Sequence, residues 1–328
     1  MYFNQFIQNS RFLITGGAGF IGSNMVAYLV QHNAKKIKIL DNLSNGYLNN
    51  IQEFLNLPNV EFIEGDITNM DTCTQACKDV DYISHQAALG SVPRSLLHPA
   101  DFCKVNIEGF VNMLTAAKNA EIKRFVYASS SSVYGDSPIL PKKEETIGNP
   151  LSPYAVSKFV NEQMALVFNN AYNFKLETIG LRYFNVFGPK QSPNGVYAAV
   201  IPLFIEAVLQ NKNAFINGDG FQTRDFTYID NVIQINLLAM FTNNKPAINQ
   251  VYNVGVGEQT SLNELFDLIT LIENKNSKPS YREARNGDIR NSQADISKAI
   301  QLLNYQPTVF LKQGLLKTYH YFKNIINY

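Results

Sequence analysis

The sequence predicts an α/β protein, a doubly wound parallel sheet followed by a smaller α/β lobe. Three observations predict it. Apolar runs of strand length alternate with amphipathic stretches of helix length through the first 181 residues, which is the pattern of βαβ crossovers in a sheet covered on both faces. A glycine cluster stands between the first such strand and the first such helix. The 328 residues are 45% apolar and only 17% charged, enough apolar side chain for the cores of about two domains.

The first strand spans 11–15 (RFLIT) and the helix after it 20–31. Strands follow at 36–40 (KIKIL), 60–64, 80–84, 124–128 (RFVYA) and 176–181, with helical patterns at 69–79, 99–119 and 153–172. Right-handed crossovers make this a doubly wound sheet. Beyond residue 181 the rhythm changes. Turn clusters at Gly188-Pro189, 193–195 and 217–220 (NGDG) break it. Helices at 196–210, 261–273, 295–303 and 311–323 alternate with short strands, and 251–254 (VYNV) reads as a buried strand returning to the main sheet. The expected organisation is a first domain over 1–181, rejoined by a return segment at 229–255, and a smaller lobe over 182–328.

Charge narrows the partners. There are 28 basic and 27 acidic residues, a formal charge of +1, so no bulk attraction to nucleic acid or to an anionic membrane is expected. No run approaches the roughly 18 apolar residues that span a bilayer. The first residues, MYFNQFIQNSR, have no basic segment leading into an apolar one, so a cytoplasmic location is expected. Cys73, Cys77 and Cys103 are odd in number and lack a second Cys or His pair at metal spacing. They read as plain buried or half-buried thiols, with neither disulfide framework nor metal site. The four histidines are scattered, so acid–base chemistry is expected to run on other residues.

The glycine cluster, Gly16-Gly17-Ala18-Gly19-Phe20-Ile21-Gly22, contains both G-x-x-G-x-x-G and G-x-G-x-x-G. Its glycines permit a tight turn and let backbone N–H groups approach a pyrophosphate. The helix N-terminus adds partial positive charge. Asp41 ends the second strand, 19 residues past Gly22. A carboxylate there accepts hydrogen bonds from the adenosine ribose and repels a 2′-phosphate, so the cofactor is expected to be NAD rather than NADP. Asp66-Ile67, after the third strand, is placed to meet the adenine, and Asp66 serves equally well as a helix N-cap. Gln86-Ala87-Ala88, after the fourth strand, would run beside the cofactor.

Ser129–Ser132 follow the fifth strand, and Tyr154 and Lys158 open a helix 24 residues beyond Ser130. Their i, i+4 spacing puts both on one helix face. A free phenol, with a pKa of about 10, is a poor base at neutral pH. A neighbouring ammonium and an oxidised nicotinamide are expected to lower it, so that Tyr154 takes and returns a hydroxyl proton. A serine hydroxyl would orient the same substrate oxygen. Alone, a Y-x-x-x-K pair or a serine run is common on any surface. Their weight lies in standing in register with the nucleotide fingerprint.

These residues resemble the extended short-chain dehydrogenase/reductase family, and within it the nucleotide-sugar 4-epimerases. TGGAGFIGS at 15–23, DN at 41–42, HQAALGSVPRS at 85–95, SSSSVYGD at 129–136, SPYAVSK at 152–158, LRYFNVFGP at 181–189, INGDGFQTRDFTYI at 216–229 and GDIRNSQADISKA at 287–299 carry the resemblance. The chain is most similar to a bacterial subgroup preferring N-acetylated sugars, the UDP-N-acetylglucosamine 4-epimerases.

The resemblance implies the remaining roles. Tyr154 would be the base, and Lys158 its partner and the holder of the nicotinamide ribose. Ser130 and Ser131 would contact the sugar 4-hydroxyl. Asn42, Gly46, Asn106 and Val186 would add cofactor contacts. Asn185 and Arg224 would hold the sugar nucleotide, and Arg285 and Asp288 the diphosphate or uridine ribose. Ala199, Val200, Ala214, Phe215 and Ile216 would line the uridine pocket. Gly90, Ser91, Asn185, Gln191, Ala199 and Ser292 would encircle the hexose. Ser292 stands where narrower-specificity relatives carry Tyr, which leaves room for an N-acetyl arm.

The implied reaction is C4 epimerisation of UDP-GlcNAc/UDP-GalNAc, with UDP-Glc/UDP-Gal as further substrates. No carboxylate follows Ser131 before Asp136, which argues against C5–C6 elimination. Two alternatives stand beside it. One is a 4-epimerase of UDP-N-acetylglucosaminuronate, whose extra charge would be met by Arg94 or by nothing visible in the sequence. The other is a catalytically idle NAD-binding regulatory protein, against which the intact Ser/Tyr/Lys set argues. Family members pair the helices near 99–119 and 153–172 into a homodimer. Phe102, Phe110, Met113, Leu114, Phe159, Val160, Met164 and Phe168 fit either that interface or ordinary sheet packing.

Overall fold

Apolar runs become strands here because both of their faces are buried. The computed structural model describes residues 3–172, 176–193, 198–275, 277–284 and 289–326. Its main sheet is built from β1 (Arg11–Thr15), β2 (Lys36–Asp41), β3 (Val60–Glu64), β4 (Tyr82–His85), β5 (Arg124–Ser130), β6 (Glu177–Tyr183) and β7 (Gln250–Val254). Their spatial order is β3-β2-β1-β4-β5-β6-β7, and every neighbouring pair is parallel. Side chains alternate between the faces. Phe12, Ile14, Ile37 and Ile39 join one apolar cluster, and Leu13, Leu40, Ile83 and Phe125 join the other. The chain order reverses between β1 and β4, which opens a crevice at the carboxyl ends of the strands.

The strands lie within two residues of their expected positions. β4 starts at Tyr82 rather than 80 because the chain first turns at Asp79, with φ +55°. Asp81 then accepts hydrogen bonds from the Arg11 backbone at 2.9 Å and side chain at 3.0 Å.

Helices α1 (Phe20–Gln31), α2 (Met70–Cys77), α3 (Gly109–Asn119) and α4 (Pro153–Ala171) cover the sheet. α4 begins where the sequence demands it: the Ser152 hydroxyl accepts from the Ala155 N–H, and Pro153 takes the first turn. The stretch expected as one helix over 99–119 is interrupted. A wider π-type turn, Cys103–Glu108, stands between Pro99–Phe102 and α3. A short helix at Val92–Leu97, capped by Ser91, was not foreseen.

Farther along, α5 (Val200–Leu209), α6 (Ile229–Phe241), α7 (Leu262–Ile272), α8 (Ser297–Leu303) and α9 (Leu311–Ile326) alternate with small two-stranded pairings. Phe215–Asn217 pairs with Ser280–Arg282, and Thr223–Arg224 with Thr260–Ser261. No helix among the described residues is long and apolar enough to cross a membrane.

Two expectations are refined. Phe102, Phe110, Met113 and Leu114 are fully buried within the chain, so they form no outer face: the last three join an apolar cluster of the sheet, and Phe102 packs against the Tyr154 ring. Cys73 and Cys77 are buried, and burial pushes both thiols up to about 12. Cys103 is instead exposed.

Candidate active site

The crevice at the strand ends is a groove of about 480 Å³, within the range of small-molecule sites. The glycine loop forms one wall. Gly16 adopts φ +65°, and a Cβ there would stand 2.7 Å from the Ala87 nitrogen, so only glycine lets the loop lie against the end of β4. Gly19 caps α1, whose N-terminus opens on the groove through Phe20, Ile21 and Gly22. Asp41, at the end of β2, shapes this loop. Its carboxylate accepts from the Ala18 N–H at 2.9 Å and the Leu43 N–H at 2.8 Å.

Asp66 lies across from it. Its carboxylate accepts from the Thr68 N–H and hydroxyl, each at 2.8 Å, and from the Asn42 amide at 2.8 Å. Burial works to raise its pKa, but these bonds outweigh it, and the group is held below the usual carboxylate range. The cap of α2 is Asn69, which leaves Asp66 and Ile67 to line the groove.

At the other end stand Ser130, Tyr154 and Lys158, with Gly90, Val186, Gln191 and Ala199. The Tyr154 ring packs edge-on to Phe102, with centroids 6.2 Å apart. The Lys158 Nζ is buried and donates to the Ala128 carbonyl at 2.9 Å. Burial pushes its pKa down to about 8 against the raising effect of Glu162. The acidic phenol is not a property of the chain alone. Burial raises the Tyr154 pKa, and a hydrogen bond with Ser130 offsets only part of the rise. Lowering it therefore requires positive charge brought by a bound cofactor.

The donor and acceptor set fits a dinucleotide. Gln86 and Gln191 both line the groove, and each has a buried amide oxygen with no hydrogen-bond partner among the described residues. Such orphans are rare in native interiors and mark places where a ligand supplies the missing donor. Tyr183, Asn45 and Val105 also line the groove and were not foreseen. Tyr183 sits in an apolar strand, and nothing local tells which of its two faces meets the site.

Other expected residues lie off this groove. The amide of Asn106 is spent: it accepts from the Leu89 N–H at 2.8 Å and donates to the Leu89 carbonyl and the Ser157 hydroxyl. Its expected cofactor contact is replaced by support of the wall behind Gly90. The Ser91 hydroxyl caps its helix by accepting from the Arg94 N–H, and the Arg94 guanidinium donates to Asn45 Oδ1 at 2.9 Å. Ser131 opens the turn after β5. Asn185 donates to the Asp225 carbonyl at 3.2 Å, next to Arg224. Ser292 donates its N–H to Thr223 beside the same residue. Val200 opens α5. Ala214 and Ile216 are buried, and Phe215 lies 3.4 Å beneath the Arg282 guanidinium. Arg285 and Asp288 fall outside the described residues.

His85 ends β4 beneath the site, fully buried, with its Nδ1 2.9 Å from the Thr15 hydroxyl. Burial, with Lys158 adding to it, pushes its pKa down to about 3. The folded chain therefore refuses a proton that the unfolded chain accepts near pH 6.5. Stability is complete above about pH 6.5 and falls as pH drops toward 3, by about 2 kcal/mol at pH 5. Urea unfolding at pH 7 and pH 5 is expected to show this loss, and His85→Asn to lose less.

A glycine cradle, a carboxylate at the end of β2 and a Ser/Tyr/Lys set in one crevice of a parallel sheet define an NAD-binding enzyme of the extended short-chain dehydrogenase/reductase class. Residues 12–255 match the NAD dependent epimerase/dehydratase family, and the chain belongs to that family. The UDP-glucose 4-epimerase of Mycolicibacterium smegmatis is 37% identical over 96% of this chain and 99% of its own length. Among solved structures, a UDP-N-acetylglucosamine 4-epimerase from Methanobrevibacter ruminantium, in complex with UDP-N-acetylmuramic acid, is 37% identical. It has a TM-score of 0.91 and covers 97% of this chain and 99% of that one. A UDP-glucuronic acid 4-epimerase from Bacillus cereus, bound to its sugar nucleotide and NAD, is 34% identical. Its TM-score is 0.87, over 96% of this chain and 99% of that one.

Proposed function

We propose that this chain interconverts UDP-N-acetylglucosamine and UDP-N-acetylgalactosamine by epimerisation at C4, with NAD resident in the groove. One observation carries the reading: Ser130, Tyr154 and Lys158 face the same groove as the glycine loop and Asp41. A sugar hydroxyl and a nicotinamide can therefore meet there.

Gly16, Gly19, Asp41, Asp66 and Lys158 would hold the cofactor, which supplies reversible hydride transfer when bound. Tyr154, oriented by Ser130, takes the proton from the sugar O4 and later returns it. The resulting 4-keto sugar turns about its link to UDP and presents its other face. Anchoring through UDP leaves the hexose loose enough to turn. Elimination lacks a base at C5: Asp136 is exposed, and its carboxylate accepts from the Asn149 backbone and side chain.

The resemblance supports an N-acetylated substrate, because it sets Ser292, buried beside Thr223 off the groove lining, where narrower-specificity relatives carry Tyr. The Arg94 guanidinium, the cation named for a uronate, donates to Asn45 Oδ1 in the loop after β2, which weighs toward a substrate uncharged at C6. Outward-facing Val156, Leu166 and Val167 of α4 support pairing of two copies through this helix.

Incubation with UDP-GlcNAc, UDP-Glc, UDP-GlcA and UDP-GlcNAcA tests the assignment. The C4 epimer is expected to form fastest from UDP-GlcNAc. Preference for a uronate would overturn the substrate, and no epimer from any sugar would leave an idle NAD binder. Ser292→Tyr is expected to cut kcat/KM for UDP-GlcNAc about tenfold or more, with a smaller loss for UDP-Glc.

A further inference from the structure

Tyr154 and Lys158 are the first two members of a longer stripe. Glu162 follows at the same spacing of four, one further turn along α4, and it too points into the chain. Its side chain is 3% exposed and that of its partner, Arg182 of β6, 5%. Arg182 Nε donates to Glu162 Oε1 at 2.9 Å, and Nη2 to Oε2 at 2.8 Å. The Ser129 hydroxyl, at the end of β5, donates to the same Oε1 at 2.5 Å. Arg182 also donates to the Tyr134 hydroxyl and the Glu144 carbonyl, each at 3.0 Å, and lies over the Tyr134 ring.

A buried ion pair of this kind stabilises little compared with apolar packing, so its place directly behind the site asks for another reason. Lys158 supplies one. Its ammonium is buried and donates to a neutral carbonyl, that of Ala128.

We propose that Glu162, clamped by Arg182 and Ser129, is a positioning residue that keeps the Lys158 side chain charged beneath the groove. The proposal rests on the reading of Tyr154 and Lys158 above. The other groups around Lys158 cannot substitute. His85 of β4 stays neutral because burial excludes its proton. Burial also keeps Tyr127 of β5 and Tyr134 of the following turn protonated. Arg182 carries the wrong sign, and Tyr154 is the group to be activated. Asp101, Lys104 and Glu108, on the segment packed across α4, are exposed to solvent. Glu144 and Lys298 sit beyond Arg182 and act on the pair rather than on Lys158. Glu162 is the acid that raises Lys158, against the burial that holds its pKa at about 8.

The test reads Lys158 directly. In protein carrying ¹³C-labelled lysine, the Lys158 Cε signal, assigned by its loss in Lys158→Met, is followed against pH. The wild-type midpoint is expected near 8. In Glu162→Gln it is expected to fall by about one unit, the change that a tenfold shift in protonation produces. Because that variant leaves Arg182 unpaired, the double variant E162Q/R182M is measured beside it. It removes both buried charges and should fold, with its midpoint still below the wild-type value. Unchanged midpoints in the variants that fold would overturn the proposal, and so would failure of both to fold, which would make the pair a fold requirement alone. If the midpoint moves while the alkaline limb of the rate profile does not, Glu162 acts as proposed and the role given to Lys158 is wrong.

Discussion

Replacing Tyr154 with Phe is expected to lower kcat for epimerisation by about a thousandfold, within the range for loss of a general acid–base group. The substitution is clean. The ring keeps its edge-on contact with Phe102, 6.2 Å away between centroids. Loss of the hydroxyl removes the hydrogen bond with Ser130, whose oxygen keeps the two bonds that it accepts from the Ser132 N–H and hydroxyl. NAD binding and KM should therefore change little, and the loss should lie in kcat, as expected when an interaction made only in the transition state is removed. The pH profile carries a second signature. Burial raises the phenol, so wild-type activity should climb with pH until Lys158 begins to lose its charge near 8. In Tyr154→Phe the climbing limb should vanish. Steady-state rates with UDP-GlcNAc from pH 6 to 10 would check both, and full activity in the variant would remove the phenol from the chemistry.

What the sequence made legible follows from what is local. β1 and β2 read correctly because residues buried on both faces leave an unbroken apolar run. The glycine loop and Asp41 stand together at the groove, as their spacing predicts, because one strand, one turn and one helix fix it. α4 read correctly because Ser152 and Pro153 mark its first turn within a few residues.

The rest depends on packing. The π-type turn at Cys103–Glu108 leaves the helical pattern nearly intact, yet it carries Asn106, whose amide goes to Leu89 and Ser157 rather than to the groove. The Glu162–Arg182 pair reads in sequence as one charge on a helix and one in a strand, and nothing local says that both are buried. The rise that burial gives the Tyr154 phenol was not legible for the same reason. Charge neighbours can be guessed from spacing, whereas the loss of hydration that outweighs them belongs to the assembled site. Phe110 looked available for an interface only because the sheet that covers it lies elsewhere in the sequence, and Phe102 because Tyr154, against which it packs, stands on another helix.

Gly22→Val is expected to weaken NAD binding by at least a hundredfold. A Cβ at residue 22 would stand 2.2 Å from the Gly16 carbonyl oxygen and 2.7 Å from the Gly17 Cα. Both are backbone atoms and cannot rotate aside as a side chain could. Either α1 moves off the loop or the loop turns its peptides, and in both cases the N–H groups lose their aim at the pyrophosphate. Losing two charge-assisted hydrogen bonds at about 1.5–3 kcal/mol each corresponds to roughly a hundredfold or more in affinity. Calorimetric titration with NAD would measure it. Thermal melting gives an independent reading, because a ligand that binds only the folded state raises its stability. NAD should raise Tm for the wild type and leave the variant unmoved. The outcome bears on more than one residue. Near-normal NAD affinity in Gly22→Val would mean that the loop and helix can part without cost, and the phosphate cradle would then have to be sought elsewhere along the strand ends.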